Sequence, residues 1–318
     1  MKELFRKNWF IVLVTVIVTA GAVSGIWLAV SRMSAPTYGG YVAVIKLSGN
    51  IAYQKSPISI LGATLTPEDV EELVREVEAD PYAKAIVLYI NSPGGSASAS
   101  EEIYNILRRL SEARPMVAYI SEYGTSGGYY ISLAADEIIA SPTSVTGSIG
   151  AVSIYVNVEG FAEKLGLRYE IFKSGRLKDI GSPLRELTDE ERRVLQSMVN
   201  STAKVFLERV REVRGDKIRD WSEILTARPY LGLEARRLGL VDDVGDLEKA
   251  ISEARRLAGL PETAPYRWVK PKPPSLLDLL LGGESMRPLG VSFELLYMWP
   301  PPSPSIQLLC LEGVKSLS

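Results

Sequence analysis

A short apolar run in the first half of the chain most constrains the fold. Ala83 to Ile90 reads AKAIVLYI, which is typical of a strand buried on both faces of a sheet. A helical pattern follows at residues 100–113, and residues 116–120 (MVAYI) form the next apolar run. Strands that alternate with helices in this way are typical of an α/β fold, so we expect a largely parallel sheet.

The same alternation continues on both sides of this run. The β-branched run from Tyr41 to Leu47 predicts a strand, and Thr66 to Asp69 has the capping residue, proline and early acids of a helix start. Arg168 to Lys173 (RYEIFK) is interpreted as a further strand. Thr188 to Glu191 is a capping box, which predicts a helix running to about Arg214.

The N-terminal segment predicts a membrane anchor. Trp9 to Val30 contains no charged residue, and about 20 apolar residues span a bilayer as a helix. Lys2, Arg6 and Lys7 precede the segment, whereas only Arg32 closely follows it. This charge bias predicts a single-pass anchor in the cell membrane, with the N-terminus in the cytoplasm and the rest of the chain outside.

The C-terminal part differs in composition from the rest. From about Pro261 the chain is rich in proline with short apolar patches, which predicts a tail that is partly disordered or associated with a membrane or partner. The alternative is a tail that packs on its own domain. At the other end, small residues at positions 20–22 leave a cleaved signal peptide as the alternative to the anchor. The predicted organisation is a cytoplasmic N-terminus at 1–8, an anchor at 9–30, a linker at 31–40, a globular domain at 41–258 and a tail at 259–318.

The charge and the rarity of cysteine and histidine exclude several classes of function. The net charge is −2 and no basic run is present, so nothing indicates a nucleic-acid partner. The single cysteine, Cys310, excludes an internal disulfide and a cysteine-based metal cluster. The chain has no histidine, which excludes His-dependent triads, Cys–His dyads and His-ligated metal hydrolases. We therefore expect neither a metal nor another cofactor.

A serine placed like a nucleophile follows the apolar run MVAYI. Gly124 to Gly128 (GTSGG) satisfies G-x-S-x-G, the pattern of a nucleophile elbow. An α/β-hydrolase is excluded because that fold needs a histidine after the serine, so we interpret the full match as incidental and assign a task only to Ser126, Gly127 and Gly128. The Gly127 N–H can act as an oxyanion donor. The alternative is that Ser126 only caps a helix.

A glycine-rich turn supplies a candidate second oxyanion donor. Asn91 to Gly95 (NSPGG) lies between a predicted buried strand and a predicted helix. Glycines at such a position let backbone N–H groups point at an anion without side-chain cover. The alternative is a plain turn, which Pro-Gly-Gly also favours.

The missing histidine restricts the choice of a base for Ser126. A carboxylate is usually too weak for a serine, and the predicted topology places the N-terminal amine across the membrane. A lysine has an ordinary pKa of about 10.4 and acts as a base only where burial favours its neutral form. Lys178 is the candidate, because it lies in a loop between Leu177 and Ile180. The alternative is a solvated surface lysine.

Four motifs in this order resemble the signal peptide peptidase A family, which consists of membrane-anchored Ser–Lys proteases related to the Clp protease and crotonase folds. The motifs are NSPGG, TSGGYYIS, SPTSVTGSIG and KSGRLKD-x3-P, and the resemblance covers about residues 41–258. It implies repeated ββα units with a largely parallel sheet, preceded by one transmembrane helix. It also implies a ring-shaped homo-oligomer whose sites are built partly from adjacent subunits.

The resemblance assigns a role to each candidate residue. Ser126 would be the nucleophile and Lys178 the general base, while Ser148 would orient the lysine. Gly95 and Gly127 would supply the oxyanion N–H groups. The implied function is that of a membrane-anchored serine endopeptidase that degrades remnant signal peptides and other apolar peptides at or in the membrane.

Three alternatives remain open. A protease of the same fold that acts on a specific membrane-protein tail would share all these residues. Crotonase-like acyl-CoA chemistry also needs an oxyanion hole, although the anchor and the Ser–Lys pair argue against it. A non-catalytic peptide-binding scaffold is the alternative of another class, and the joint presence of Ser126, Ser148 and Lys178 argues against it.

Overall fold

The chain divides into two compact units, Met1–Gly40 and Tyr41–Ser318. The computed structural model describes residues 13, 15–25, 39–55, 63–270 and 296–298.

The N-terminal unit contains a helix, α1, at residues 15–25. Within the described residues, no helix combines the length and the apolar character needed to cross a membrane. The predicted anchor at 9–30 lies only partly within the described residues, and the predicted cytoplasmic segment at 1–8 lies outside them. Both stay predictions.

The second unit combines strands and helices along its whole described length. Its strands are β1 Tyr41–Ser48, β2 Asn50–Ile51, β3 Thr64–Leu65, β4 Ala83–Ser92, β5 Gly94–Ser96, β6 Met116–Thr125, β7 Glu137–Ala140, β8 Val145–Gly147, β9 Pro229–Leu231, β10 Asp243–Val244, β11 Tyr266–Trp268 and β12 Leu296–Met298. Its helices are α2 Pro67–Ala79, α3 Ala97–Ala113, α4 Gly127–Ser132, α5 Glu159–Lys164, α6 Asp189–Arg214, α7 Trp221–Ile224, α8 Gly232–Leu238 and α9 Leu247–Leu257.

The main sheet is largely parallel, which confirms the expected fold class. Its strands run in the order β10-β7-β6-β4-β1-β11, and each neighbouring pair on this path is parallel. β8 adds to β6 in parallel, and β9 pairs with β8 in antiparallel orientation. β11 lies beyond the predicted end of the globular domain at 258 and pairs with β1.

A second, small sheet gives the fold its repeated unit. It has the order β12-β5-β2-β3. β1 of the main sheet is followed by β2 of the small sheet and, after the further short strand β3, by α2, and β4 is followed by β5 and α3. These two ββα units place the short strand β5 directly after the long buried strand β4.

Both faces of the main sheet are buried, as the run AKAIVLYI predicts. Along β4, Ile86, Leu88 and Ile90 enter one hydrophobic cluster with α2 and α3, while Ala85 and Val87 enter another with α9. Successive side chains of a strand point to opposite faces, so a strand covered by helices on both sides must be apolar at nearly every position.

The predicted helix starts are confirmed by their capping contacts. The Thr66 hydroxyl accepts from the Asp69 N–H at 3.1 Å, and Asp69 accepts from the Thr66 N–H at 3.2 Å. Thr188 and Glu191 make the same reciprocal pair at the start of α6, which ends at Arg214 as expected. These local signals are readable from sequence because both partners lie within one helical turn.

The predicted strand at Arg168 to Lys173 is wrong. These residues form no strand, and Phe172 is 89% exposed. In the stretch 151–187 the structure buries only Ala162. An extended segment needs a neighbouring strand to satisfy its backbone groups, and none of the described strands lies beside it.

Candidate active site

Ser126 lies at the turn where β6 ends and α4 begins. Its backbone has φ 53° and ψ −118°, and only 2% of the residue is exposed. Such a conformation costs about 1–3 kcal/mol and persists only where the surroundings hold it. Here the Ser126 N–H donates to the Gly147 carbonyl at 2.7 Å, and the Ser126 carbonyl accepts from the Tyr130 N–H at 2.8 Å. The side chain makes no capping hydrogen bond, so it does not act as a helix cap.

The sharp turn depends on the glycines around Ser126. A Cβ at Gly128 would lie 2.4 Å from the Ser92 carbonyl oxygen, and a Cβ at Gly124 would lie 2.7 Å from the Ile120 side chain. A strained strand-to-helix turn is the geometry of a nucleophile elbow. Close packing therefore restricts both outer glycines, through the Ser92 backbone at Gly128 and through the Ile120 side chain at Gly124, to which the sequence reasoning assigned no task.

Strand β8 brings Ser148 to the same end of the sheet. The parallel strands β6 and β8 pair Thr125 with Gly147, so Ser126 and Ser148 are the next residues on the two strands. Ser148 also has φ 53°, and only 9% of it is exposed. Its N–H donates to the carbonyl oxygen of Arg228 at 3.1 Å. The two serines singled out from sequence thus occupy equivalent turns on adjacent strands.

The NSPGG turn approaches Ser126 from the other side, where β4 runs parallel to β6. A Cβ at Gly127 would lie 3.3 Å from the Gly95 nitrogen and 3.2 Å from the Gly94 Cα. The Gly95 and Gly127 backbones are therefore packed closely, with no room for a side chain between them. Two backbone N–H groups next to a nucleophile are what an oxyanion hole requires.

Two buried threonine hydroxyls, which the sequence reasoning missed, join the three turns. Thr125 Oγ1 donates to the Pro93 carbonyl at 3.1 Å, and Thr146 Oγ1 donates to the Gly124 carbonyl at 2.8 Å. Thr125 directly precedes Ser126, and Thr146 lies two positions before Ser148. This proximity in sequence is the only local sign that the two threonines belong to the site. Their role depends on strand register, which the sequence does not reveal.

Two tyrosines anchor α4 behind Ser126. The Tyr129 hydroxyl donates to the Leu240 carbonyl at 2.7 Å, and the Tyr130 hydroxyl donates to the Glu101 carboxylate. Burial raises the pKa of both tyrosine hydroxyls above their ordinary value. Both therefore remain protonated donors at neutral pH, and α4 is held against the core.

The carboxylates around the site are engaged in hydrogen bonds. Glu101 also accepts from Arg209 at 3.1 Å, and Glu122 accepts from the Asn91 amide at 3.0 Å. Within the part of the chain that the structure describes, no group of three or more Asp, Glu and Cys side chains could hold a metal ion.

Lys178 stands apart from the other candidate residues. It is exposed, and its backbone N–H donates to the Gly175 carbonyl at 3.1 Å within the loop. Across the described ranges, no hydrogen bond or ion pair joins its amine to Ser126 or Ser148. The structure therefore brings Ser126, Ser148, Gly95 and Gly127 together and leaves Lys178 outside this group.

A segment of the predicted tail lies along the glycine turn. β12 pairs with β5 in antiparallel orientation and places Tyr297 opposite Gly95, with Leu296 opposite Ser96 and Met298 opposite Gly94. The edge of β5 at Gly95 therefore accepts an extended chain.

Two family models match the chain. Residues 108–261 match the model of peptidase family S49, and residues 12–157 match the model described as ClpP-like SDH-type serine proteinase. Among solved structures, a mutant of the 1510-N membrane-bound stomatin-specific protease matches 73% of this chain and 99% of its own chain, at 15% identity and a TM-score of 0.41.

Relatives from three organisms carry protease names. A Methanocaldococcus jannaschii protein is 37% identical over 61% of this chain and 63% of its own length, and the chloroplastic serine protease SPPA of Arabidopsis thaliana is 31% identical over 76% and 36%. The matched region thus spans less than two thirds of each of these two proteins. A Synechocystis sp. protein is 36% identical over 72% of this chain and 83% of its own length. With these matches, the chain belongs to peptidase family S49, the signal peptide peptidase A family of serine peptidases.

Proposed function

We propose that the chain is a membrane-anchored serine endopeptidase with Ser126 as nucleophile and Lys178 as general base, which degrades remnant signal peptides and other apolar peptides at the membrane. The main support for this proposal is the position of Ser126. Its backbone is strained at φ 53°, and it is packed between the turns that contain Ser148 and Gly95. A strained, buried serine beside two glycine backbones serves no evident packing purpose, whereas a nucleophile beside an oxyanion hole needs this arrangement.

The edge of β5 favours a peptide as the substrate. β12 already pairs with Gly94–Ser96 as an added antiparallel strand. Addition of a strand to a sheet edge is a common mode of peptide binding, in which main-chain hydrogen bonds supply affinity for any sequence. A substrate bound in this way would carry its peptide bonds past Gly95 and Ser126.

The exposed stretch 151–187 supports assembly into an oligomer. Large exposed apolar patches mark interaction sites. The most exposed apolar side chains here are Ile154, Val156, Phe161, Leu165, Leu167 and Phe172. A second copy of the chain that covers this stretch would desolvate the Lys178 amine, and desolvation favours the neutral form that a general base needs. Lys178 would then serve the Ser126 of an adjacent subunit.

The reaction follows from these roles. The neutral Lys178 amine takes the Ser126 proton as Oγ attacks the peptide carbonyl carbon, and the Gly95 and Gly127 N–H groups hold the oxyanion. The resulting ammonium protonates the leaving amine, the C–N bond breaks, and an ester to Ser126 remains. Water then attacks this ester and gives a proton to the lysine, and the lysine passes this proton to Ser126 Oγ as the ester C–O bond breaks and the acid is released. Ser148 orients the lysine throughout.

The uncharged segment at 9–30 supports the location of the enzyme. It would hold the chain in the cell membrane with the N-terminus in the cytoplasm and the peptidase domain outside. Peptides released into the membrane from cleaved signal sequences are apolar and would reach such an enzyme without leaving the bilayer region.

The test is digestion of a mixed library of apolar peptides by the full chain in detergent, followed by mass spectrometry. We expect new peptide ends with the wild type and none with Ser126→Ala or Lys178→Ala. Ser197→Ala and Lys204→Ala, both on the exposed face of α6, are the matched controls. Undiminished cleavage by Ser126→Ala or by Lys178→Ala contradicts the proposal. Absence of any Ser126-dependent product favours the alternative of a non-catalytic peptide-binding scaffold.

A further inference from the structure

The loop that carries Lys178 contains a compact ion cluster, formed by Arg185, Asp179, Glu191 and Lys173. Arg185 Nε lies 2.8 Å from Asp179 Oδ2, and Arg185 Nη1 lies 2.9 Å from Glu191 Oε2. Lys173 Nζ lies 2.6 Å from Asp179 Oδ1. One guanidinium therefore bridges two carboxylates, and one of these carboxylates belongs to the residue directly after Lys178.

The cluster is shielded although the surrounding stretch is exposed. The side chain of Glu191 is 2% exposed, that of Asp179 is 12% and that of Arg185 is 22%. Charges shielded from water are costly unless they are paired, so removal of the guanidinium would leave two carboxylates without their partner. The hydrogen bond from Arg185 holds the pKa of Glu191 at about 2, and hydrogen bonds from Arg185 and Lys173 hold that of Asp179 well below its ordinary value. The cluster therefore stays charged at any pH at which a lysine base works.

Glu191 fixes one end of the cluster to a rigid element. It is the third residue of α6 and forms the capping box with Thr188, so its carboxylate accepts from Arg185 and from the Thr188 N–H at 2.8 Å. The other end is held by short-range turns, in which the Ser182 N–H donates to the Asp179 carbonyl at 3.0 Å. The bridge through Arg185 thus ties the backbone beside Lys178 to the start of a long helix.

We propose that Arg185 is a positioning residue for the general base: its planar fork sets the place of the Lys178 backbone relative to α6. The inference rests on the proposed function, since it assumes that Lys178 is the base. Guanidinium binds carboxylates through several donors in a fixed plane, whereas an ammonium is a point charge on a flexible stem. A lysine at this position could pair with Asp179 or Glu191, but it would lack the fixed plane that orients both carboxylates at once.

The test compares Arg185→Lys and Arg185→Gly with the wild type and with Lys178→Ala. We expect Arg185→Lys to lower kcat by about 10- to 100-fold with KM nearly unchanged, because a base misplaced by about 1 Å costs on the order of 100-fold. Millimolar guanidinium, but not methylammonium, should restore part of the kcat of Arg185→Gly. Arg75→Lys is the control: Arg75 lies on α2, outside the stretch 151–187, pairs with Glu71 at 3.6 Å, and has a side chain that is 72% exposed. An exposed pair contributes little, so its kcat should stay within about two-fold.

The outcomes separate the inference from the proposed function. All rates are expressed per active site titrated with a fluorophosphonate, so a partly unfolded variant does not mimic a slow one. Full kcat in Arg185→Lys, together with an inactive Lys178→Ala, overturns the positioning role and leaves the function intact. Activity in Lys178→Ala overturns the function itself. If Arg185→Gly and Arg185→Lys do not fold, Asp179→Asn breaks only the loop end of the bridge, and a kcat equal to that of the wild type then overturns the proposal.

Discussion

Substitution of Gly127 by alanine should separate packing from catalysis at the proposed oxyanion hole. The added Cβ would lie 2.4 Å from Ser100 Oγ, a distance at which one of the two atoms must move. Ser100 Oγ is buried and donates to the Ser96 carbonyl at 2.8 Å, so its displacement breaks that hydrogen bond. The lost bond costs about 1 kcal/mol and the overpacking about 1–3 kcal/mol, so we expect a total destabilisation of about 2–4 kcal/mol.

The catalytic effect arises from a different contact of the same Cβ. It would lie 3.3 Å from the Gly95 nitrogen and 3.2 Å from the Gly94 Cα, which is tighter than ordinary van der Waals contact. The NSPGG turn must therefore move by a few tenths of an ångström, away from Ser126. Loss of one oxyanion donor costs about 100- to 1,000-fold in kcat, so we expect Gly127→Ala to fall in that range.

A double variant distinguishes the two effects. Ser100→Ala with Gly127→Ala removes the 2.4 Å contact but keeps the contacts with Gly94 and Gly95. Urea unfolding should therefore show part of the stability regained, whereas peptide cleavage and fluorophosphonate labelling of Ser126 should stay slow. Ser100→Ala alone is the control, because it removes the same hydroxyl and leaves the glycines at 94, 95 and 127 unchanged. A Gly127→Ala enzyme with wild-type kcat would refute the assignment of this backbone pair as the oxyanion hole.

Three further predictions test the assembly, the tail and the fold. Mixed oligomers of Ser126→Ala and Lys178→Ala should recover activity, up to about a quarter of the sites for random mixing, if adjacent subunits share a site; mixtures that stay inactive contradict sharing. Deletion of residues 289–318 should lower the KM for peptides, because β12 occupies the edge of β5, and an unchanged KM would show that peptides bind elsewhere. Burial alone would raise the pKa of Asp242, but hydrogen bonds from Arg214 and Lys217 outweigh it and hold that pKa below its ordinary value. The stability from this ionised carboxylate is present above about pH 4 and lost as the pH falls further, so the Tm difference between wild type and Asp242→Asn should shrink on acidification, and a constant difference would contradict the linkage.

The parts of the fold that the sequence predicts well are those whose signals are local. The strand β4 and the capping boxes at Thr66 and Thr188 depend on residues a few positions apart, and all three are confirmed. Ser126 and Ser148 were recognisable as candidates from short motifs, yet their proximity depends on the pairing of β6 with β8. Likewise, Thr125 and Thr146 acquire a role only once the register of the parallel strands is known.

The stretch around Lys178 shows why the loop structure and the surroundings of the candidate base could not be predicted from the sequence. Its apolar residues resemble a strand at Arg168 to Lys173, but a strand needs a partner, and none of the described strands provides one. The Arg185 bridge joins positions 179 and 185, which lie in the loop, to position 191 in α6, so no periodic pattern within one helix or strand reveals it. If adjacent subunits share a site, the surroundings of Lys178 are set by the surface of another copy. A base supplied by a neighbouring subunit would act only in the assembled enzyme, which would confine proteolysis to the oligomer.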